Sequence, residues 1–282
     1  MSPTIDIELL KSILEARFAI AASVICLLYD HLLTLDLEVA NVWRNPEHKP
    51  LNKVSFAINR YLTEAVIICA AFVTGGGQSF DDESSPPFQS CKRFIWVFTI
   101  SVTIIIGVSQ FFINIRVYKT WETRASMNLI SNCVFAVLIA AAAGLSVVGV
   151  IQAQAITHFL KFPGVCAFSD IPTALPIMLG LLAFFDFFLI LLAMYNALEK
   201  PHQTNSDVLD SFLADGAKLF VLIFLLRLGT TIVAVVGNAA QTFAAICLVF
   251  SINSNLVSRI HLRVEGLRFL TQIVPSESFV SL

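Results

Sequence analysis

Seven long apolar runs dominate the chain and constrain its fold more than any other feature. They lie at about 14–35, 54–74, 94–115, 127–149, 174–197, 217–237 and 239–258, each near the roughly 20 residues that carry an α-helix across a hydrocarbon core of about 30 Å. The last two are separated only by the neighbourhood of Gly237 and Asn238; read as one run they would be about twice what a bilayer takes. Charged residues are 13% of the 282, against about 25% in a soluble domain, too few to cover a water-facing surface. The runs also lack the roughly ten-residue alternating strands of a transmembrane barrel. The expected fold class is all-α, a polytopic membrane bundle of seven transmembrane helices. Residues 1–260 would form one domain and 261–282 a short cytoplasmic tail.

Lys and Arg in the flanks and short loops set the orientation. With the N-terminus outside, the cytoplasmic side receives Arg44, Lys49, Lys53, Arg116, Lys119, Arg124, Lys200, Lys218, Arg259, Arg263 and Arg268, eleven in all, and the outer side receives five: Lys11, Arg17, Lys92, Arg93 and Lys161. The outer loop GGGQSFDDESSPPFQS adds three acids and no base. N-out, C-in is therefore expected, in the plasma membrane or another membrane of the secretory pathway. The opening MSPTIDIELLKSILEAR places two acids before its first Lys, the wrong order for the basic start of a cleaved signal peptide. The first helix is expected to stay and act as its own insertion signal.

Charge is costly near hydrocarbon, yet the first run ends in LYDHLLTLDLEVANVW, residues 28–43. Asp36 and Glu38 read as headgroup-level carboxylates, and Tyr29, Asp36 and Trp43, spaced by nearly two helical turns, as an interfacial stripe. Asp30 lies deeper, about 9 Å inside the cytoplasmic exit at 1.5 Å per residue. Arg60, in FAINRYLTEAV, lies at matching depth on the next, antiparallel helix. The two are expected to pair as a helix clamp, because either charge alone would be poorly solvated there. Tyr29-Asp30, Leu33-Thr34, Asp36, Glu38-Val39, Trp43 and Asn59-Arg60-Tyr61 together resemble the N-terminal signature of a family of fungal, mainly basidiomycete, seven-helix membrane proteins of unknown function. The signature covers roughly residues 25–70. The resemblance implies the seven-span architecture and brings no ligand, cofactor or catalytic residue.

A second set of charges falls at the midplane. Glu64, Asp186 and Arg227 all lie within about one to two turns of the bilayer centre by residue count, where a charge costs at least ~2.5–3.5 kcal/mol and normally faces a partner inside the bundle. One reading is an intramembrane polar site built from these three, with Gln110 or Asn132, that handles a ligand or ion. The other is an Arg–carboxylate pair that locks helices, with the second acid neutral.

Four of the six cysteines fall inside spans, while Cys91 and Cys166 fall on the expected outer, oxidising side, where a disulfide would tie the second outer loop over the bundle mouth. The arrangement is similar to that of seven-helix G-protein-coupled receptors. However, no acid precedes Arg116, and the last span has neither their Asn-Pro-x-x-Tyr pattern nor a Lys for retinal. His31, His48, His158, His202 and His261 read as surface or loop residues, forming no cluster with the midplane acids and no metal-ligand spacing. No enzyme chemistry, catalytic residue, metal or cofactor is expected, and no basic aromatic patch points to nucleic acid. The expected partners are the lipid bilayer, a small-molecule or lipid ligand, and a cytoplasmic protein. Two function classes stay open: a receptor-like sensor with an outward-facing pocket, and a transporter or proton-coupled carrier using the midplane carboxylates.

Overall fold

The computed structural model describes residues 7–44, 50–75, 87–120, 125–160, 165–199 and 207–273. The acidic loop after Gly75, the loop residues His48, Lys49, Arg124, Lys161, Lys200 and His202, and the last part of the tail lie outside them. The elements are α1 (Ile7–Glu38), α2 (Pro50–Ala57), α3 (Thr63–Thr74), α4 (Pro87–Thr120), α5 (Ala125–Ile156), a hairpin of β1 (Thr157–Leu160) and β2 (Val165–Phe168), α6 (Ala174–Glu199), α7 (Asp207–Val236) and α8 (Ala239–Ile273). A π-helical turn, Val39–Trp43, ends α1, and another, Ile58–Leu62, joins α2 to α3.

Seven of these helical stretches are long and apolar enough to cross a membrane: Leu10–Trp43, Pro50–Thr74, Cys91–Ile115, Leu129–Ile156, Ala174–Tyr195, Lys218–Val236 and Ala239–Val264. Burial is inverted relative to a soluble protein. Phe18, Leu32, Val137 and Val236 are exposed, whereas Ser109, Gln110, Asn114 and Asn59 are buried. Lipid is as apolar as leucine, so it gives the bundle no reason to hide its hydrophobic side chains, and polar groups turn inward to find each other. The chain is a multi-pass integral membrane protein.

The end of the seventh span and the segment between α5 and α6 differ from expectation. The seventh does not stop at a surface tail near 258: α8 continues unbroken to Ile273, and Ile260, His261 and Leu262 are buried, with Leu262 packed on Val42 and Phe56. The segment between α5 and α6 contains the antiparallel hairpin, with Phe159 opposite Cys166.

Helices α1 and α8 run parallel. The pairs Ser23–Ser251, Cys26–Asn255 and Asp30–Arg259 have sequence offsets of 228, 229 and 229, and a constant offset is the register of two parallel helices. Ser251, Ser254 and Ser258 follow one another at helical spacing on one face of α8 and are buried. Small hydroxyl side chains of this kind let membrane helices approach closely.

Gly237 makes the turn between the last two spans. Its N–H donates to Val233 O at 2.8 Å, and a Cβ there would stand 2.6 Å from the same oxygen. Asn238 then starts α8, its Oδ1 accepting the Gln241 N–H at 2.9 Å, as an N-capping residue does. Gly237→Ala is expected to lower stability by more than ~1 kcal/mol. Gly107→Ala, in α4 with open space around the added methyl, should be neutral or mildly stabilising. Thermal unfolding of both variants in nanodiscs checks this; equal midpoints would remove the argument.

Candidate functional site

The π turn of the second span positions the first polar cluster. Its irregular backbone is held from outside: Ser254 Oγ donates to Asn59 O at 2.7 Å and Thr63 Oγ1 to the same oxygen at 2.6 Å. The Asn59 side chain donates to Ser258 Oγ at 3.2 Å and accepts from Ser109 Oγ at 2.8 Å, which joins α8 and α4 to the turn. The next residue, Arg60, is 2% exposed and reaches α1 at Thr34.

Arg60 meets one face of α1, where Asp30, Thr34 and Glu38 are stacked four residues apart and all buried. Its Nη2 donates to Thr34 Oγ1 at 2.6 Å, its Nε lies 3.2 Å from Glu38 Oε2, and its Nη1 lies 3.8 Å from Asp30 Oδ2. Asp30 has a shorter bond from the other side, to Arg259 Nε at 2.5 Å. Glu38 is fully buried and accepts from Trp43 Nε1 at 2.8 Å and from the Tyr61 hydroxyl in a short contact. The Asp30–Arg60 pair is thus one edge of a network that draws on α1, α8 and both π turns. Glu38 does not lie hydrated at headgroup level, since the 30–34–38 face points inward. Tyr29 and Asp36 do face outward, as does Trp43 in part, but Trp43 also reaches back to Glu38.

Glu64 belongs to this network and not to a midplane trio. Its Oε1 lies 2.6 Å from His31 Nδ1 and 4.0 Å from Arg60 Nε. His31 therefore clusters with an acid that sequence depth placed apart from every histidine. Its other nitrogen, Nε2, faces Glu38 Oε2 at 3.8 Å, and its ring meets Tyr61 edge-on.

The remaining midplane charges pair with each other. Arg227 Nη1 lies 2.8 Å from Asp186 Oδ2, and Gln110 Nε2 donates to Asp186 Oδ1 at 3.0 Å, linking α7, α6 and α4. Asn132 goes elsewhere, accepting from Asn114 Nδ2 at 2.9 Å. Beside the pair, a crevice lined by Arg227, Thr230, Asn253 and apolar residues of α4, α6, α7 and α8 has a volume of about 20 Å³. That is the space of a water molecule, against roughly 300 Å³ or more for a drug-sized ligand. His261 is buried between Phe56 and Phe112. Among the described residues no three His, Cys, Asp or Glu side chains are arranged to hold a metal ion.

At the opposite end of the bundle Cys91, at the start of α4, is disulfide-bonded to Cys166 of β2. Sequence reasoning missed Glu38, His31, Thr34, Tyr61, Asn59 and Arg259 as members of the network. The signal for two was present: Thr34 and Glu38 follow Asp30 at four-residue spacing, which marks one helix face.

Residues 18–63 match a family described as a family of unknown function (DUF6533). The matched stretch runs from α1 through the second π turn to the first residue of α3 and contains Asp30, His31, Thr34, Glu38, Asn59, Arg60 and Tyr61. No match to a curated protein or to a solved structure was found.

Proposed function

We propose that this membrane protein is a receptor-like sensor, without enzymatic activity, in which the Arg60 network is a lock between spans one, two and seven. The observation that carries this reading is the pairing of every intramembrane acid named above. Asp186 has Arg227 at 2.8 Å, Glu64 has His31 at 2.6 Å, and Asp30 and Glu38 have Arg60 and Arg259. A carrier of cations would offer carboxylates to its cargo near the midplane, along helices broken at the site. Here the midplane acid is taken by an arginine. A set of charges that are costly unless paired can instead be closed or open, and such bistability is what a sensor needs.

Orientation gives the lock its direction. The eleven-to-five distribution of basic residues supports N-out, C-in, and a disulfide between Cys91 and Cys166 suits an oxidising outer face. A small-molecule or lipid ligand would then act near the hairpin, and a cytoplasmic protein would read the lock, in the plasma membrane or another secretory-pathway membrane. The test uses the full chain in nanodiscs with paired spectroscopic labels at Leu51 and Arg263, both exposed near the lock. Replacing Cys91 and Cys166 together by Ser should change the label-to-label distance, because a sensor couples its two ends. Proteoliposomes should show no proton or cation flux above empty vesicles. An unchanged distance or a measurable flux would overturn the sensor reading, the second in favour of a carrier.

A further inference from the structure

We infer that His31 is a proton-binding site inside the lock, with Glu64 and Glu38 as the two carboxylates that hold its imidazolium. The inference rests on the lock proposed above and adds a ligand to it, one proton taken up at Nε2.

Charge comes first. Among the described residues, the groups whose ion pairs meet here are Asp30, Glu38 and Glu64 against Arg60 and Arg259, three negative and two positive. The sum is −1 with His31 neutral and zero with His31 protonated. All but Arg259 are largely removed from solvent, so the uncompensated charge sits where compensation matters most.

Geometry then locates the proton. Nδ1 of His31 lies 2.6 Å from Glu64 Oε1, a charge-assisted hydrogen bond when that nitrogen carries hydrogen. In the neutral ring the other nitrogen, Nε2, then carries a lone pair, and it lies 3.8 Å from Glu38 Oε2. That oxygen is buried without a hydrogen-bond partner. The nearest donor, Arg60 Nε at 3.2 Å, also lacks a hydrogen bond, so the two are close but not aligned. A buried acceptor left in this way is costly. A proton on Nε2 turns the facing lone pair into a donor, gives both ring nitrogens a carboxylate partner and brings the network to neutrality. No bond other than N–H forms or breaks.

Among the described residues, charged and titratable groups face the site from three elements. On its own helix these are Asp30, Glu38 and the outward-facing Asp36; on the second span Arg60, Tyr61 and Glu64; on α8 Arg259. Tyr61 and Trp43 donate to the other oxygen of Glu38, Oε1, while Oε2 faces Arg60 Nε and His31 Nε2.

A proton that binds the closed lock and not the opened one makes stability fall as pH rises. The full-length protein in nanodiscs should lose thermal stability as pH rises through the window that opens at ~6.5, the ordinary histidine value, in a one-proton step, its folding constant falling by at most about tenfold per pH unit. Glu64→Gln makes the network neutral with a neutral imidazole, so the step should vanish and stability stay at the low-pH level. His31→Gln should also be flat, at the high-pH level. A second readout needs no disruptive variant: one ¹⁵N-labelled histidine ring of the unmodified protein should lose its Nε2 proton across the same window and shift in Glu64→Gln. A flat response of the unmodified protein, a step that survives in His31→Gln, or histidine rings indifferent to Glu64→Gln would overturn the proton site. Labels that move in the disulfide variant while the pH response is flat would leave the sensor reading intact; labels that stay put would remove that reading instead.

Discussion

Arg60→Ala is expected to destabilise the bundle by about 3–5 kcal/mol, the cost of removing one partner from a buried ion pair. Arg60 is 2% exposed and lies within 4.0 Å of Glu38, Asp30 and Glu64. Its guanidinium also stands 5.9 Å from the Phe56 ring centroid. Without it, three carboxylates share one half-exposed arginine and one histidine. Arg259→Ala removes a side chain that is 49% exposed, and water and headgroups replace much of what it gives Asp30, so a loss under ~1 kcal/mol is expected. Arg60→Lys should fall between the two. It keeps the charge but loses the fork that reaches Thr34, Glu38 and Asp30 at once. Unfolding in nanodiscs ranks the three, and equal losses for Arg60→Ala and Arg259→Ala would show that burial does not govern this network.

The architecture was legible in the sequence because a bilayer leaves only length and apolarity to read. Seven runs of the right length became seven spanning helices, and even the narrow break at Gly237 and Asn238 was visible, since glycine and asparagine are the residues that a tight helix-to-helix turn selects. Depth was legible too, which is why Asp30 and Arg60 could be matched. Azimuth was not. Residue counting put Glu64 level with Asp186 and Arg227, but each helix's rotation sends Glu64 toward His31 and Asp186 toward Arg227. The π turns explain part of the miss. Each inserts an extra residue into the helical repeat, one where Trp43 turns back on Glu38 and the other where Arg60 turns toward α1. No composition or periodicity in VANVW or INRYL announces that insertion. The hairpin was equally silent, because THFL and VCAF are too short to show an alternation.

The second large effect is expected at the midplane. Asp186→Leu alone leaves Arg227 in the membrane without its 2.8 Å partner and should cost about 3–5 kcal/mol. Arg227→Met alone leaves a carboxylate that is 4% exposed with one hydrogen bond, from Gln110, and should cost less, since a carboxylate can take up a proton in place of its partner. The double variant should recover most of the loss or exceed the parent, because a buried pair replaced by apolar residues of similar volume is often neutral to ~4 kcal/mol more stable. Gln110 would then limit the recovery. Its Oε1 is already buried without a partner, and losing Asp186 strands its Nε2 as well, at a cost of about 1–3 kcal/mol. Adding Gln110→Leu should restore that amount. The double-mutant cycle of Asp186 and Arg227 measures the coupling directly, and a value below ~1 kcal/mol would mean that the two charges do not act as a unit. A strong coupling, with the label distance at Leu51 and Arg263 unchanged in the double variant, would identify the midplane pair as a helix lock separate from the Arg60 network. A changed distance would instead join the two sites into one switching element, with α8, which lines the crevice beside Arg227 and also carries Arg259, as the part they share.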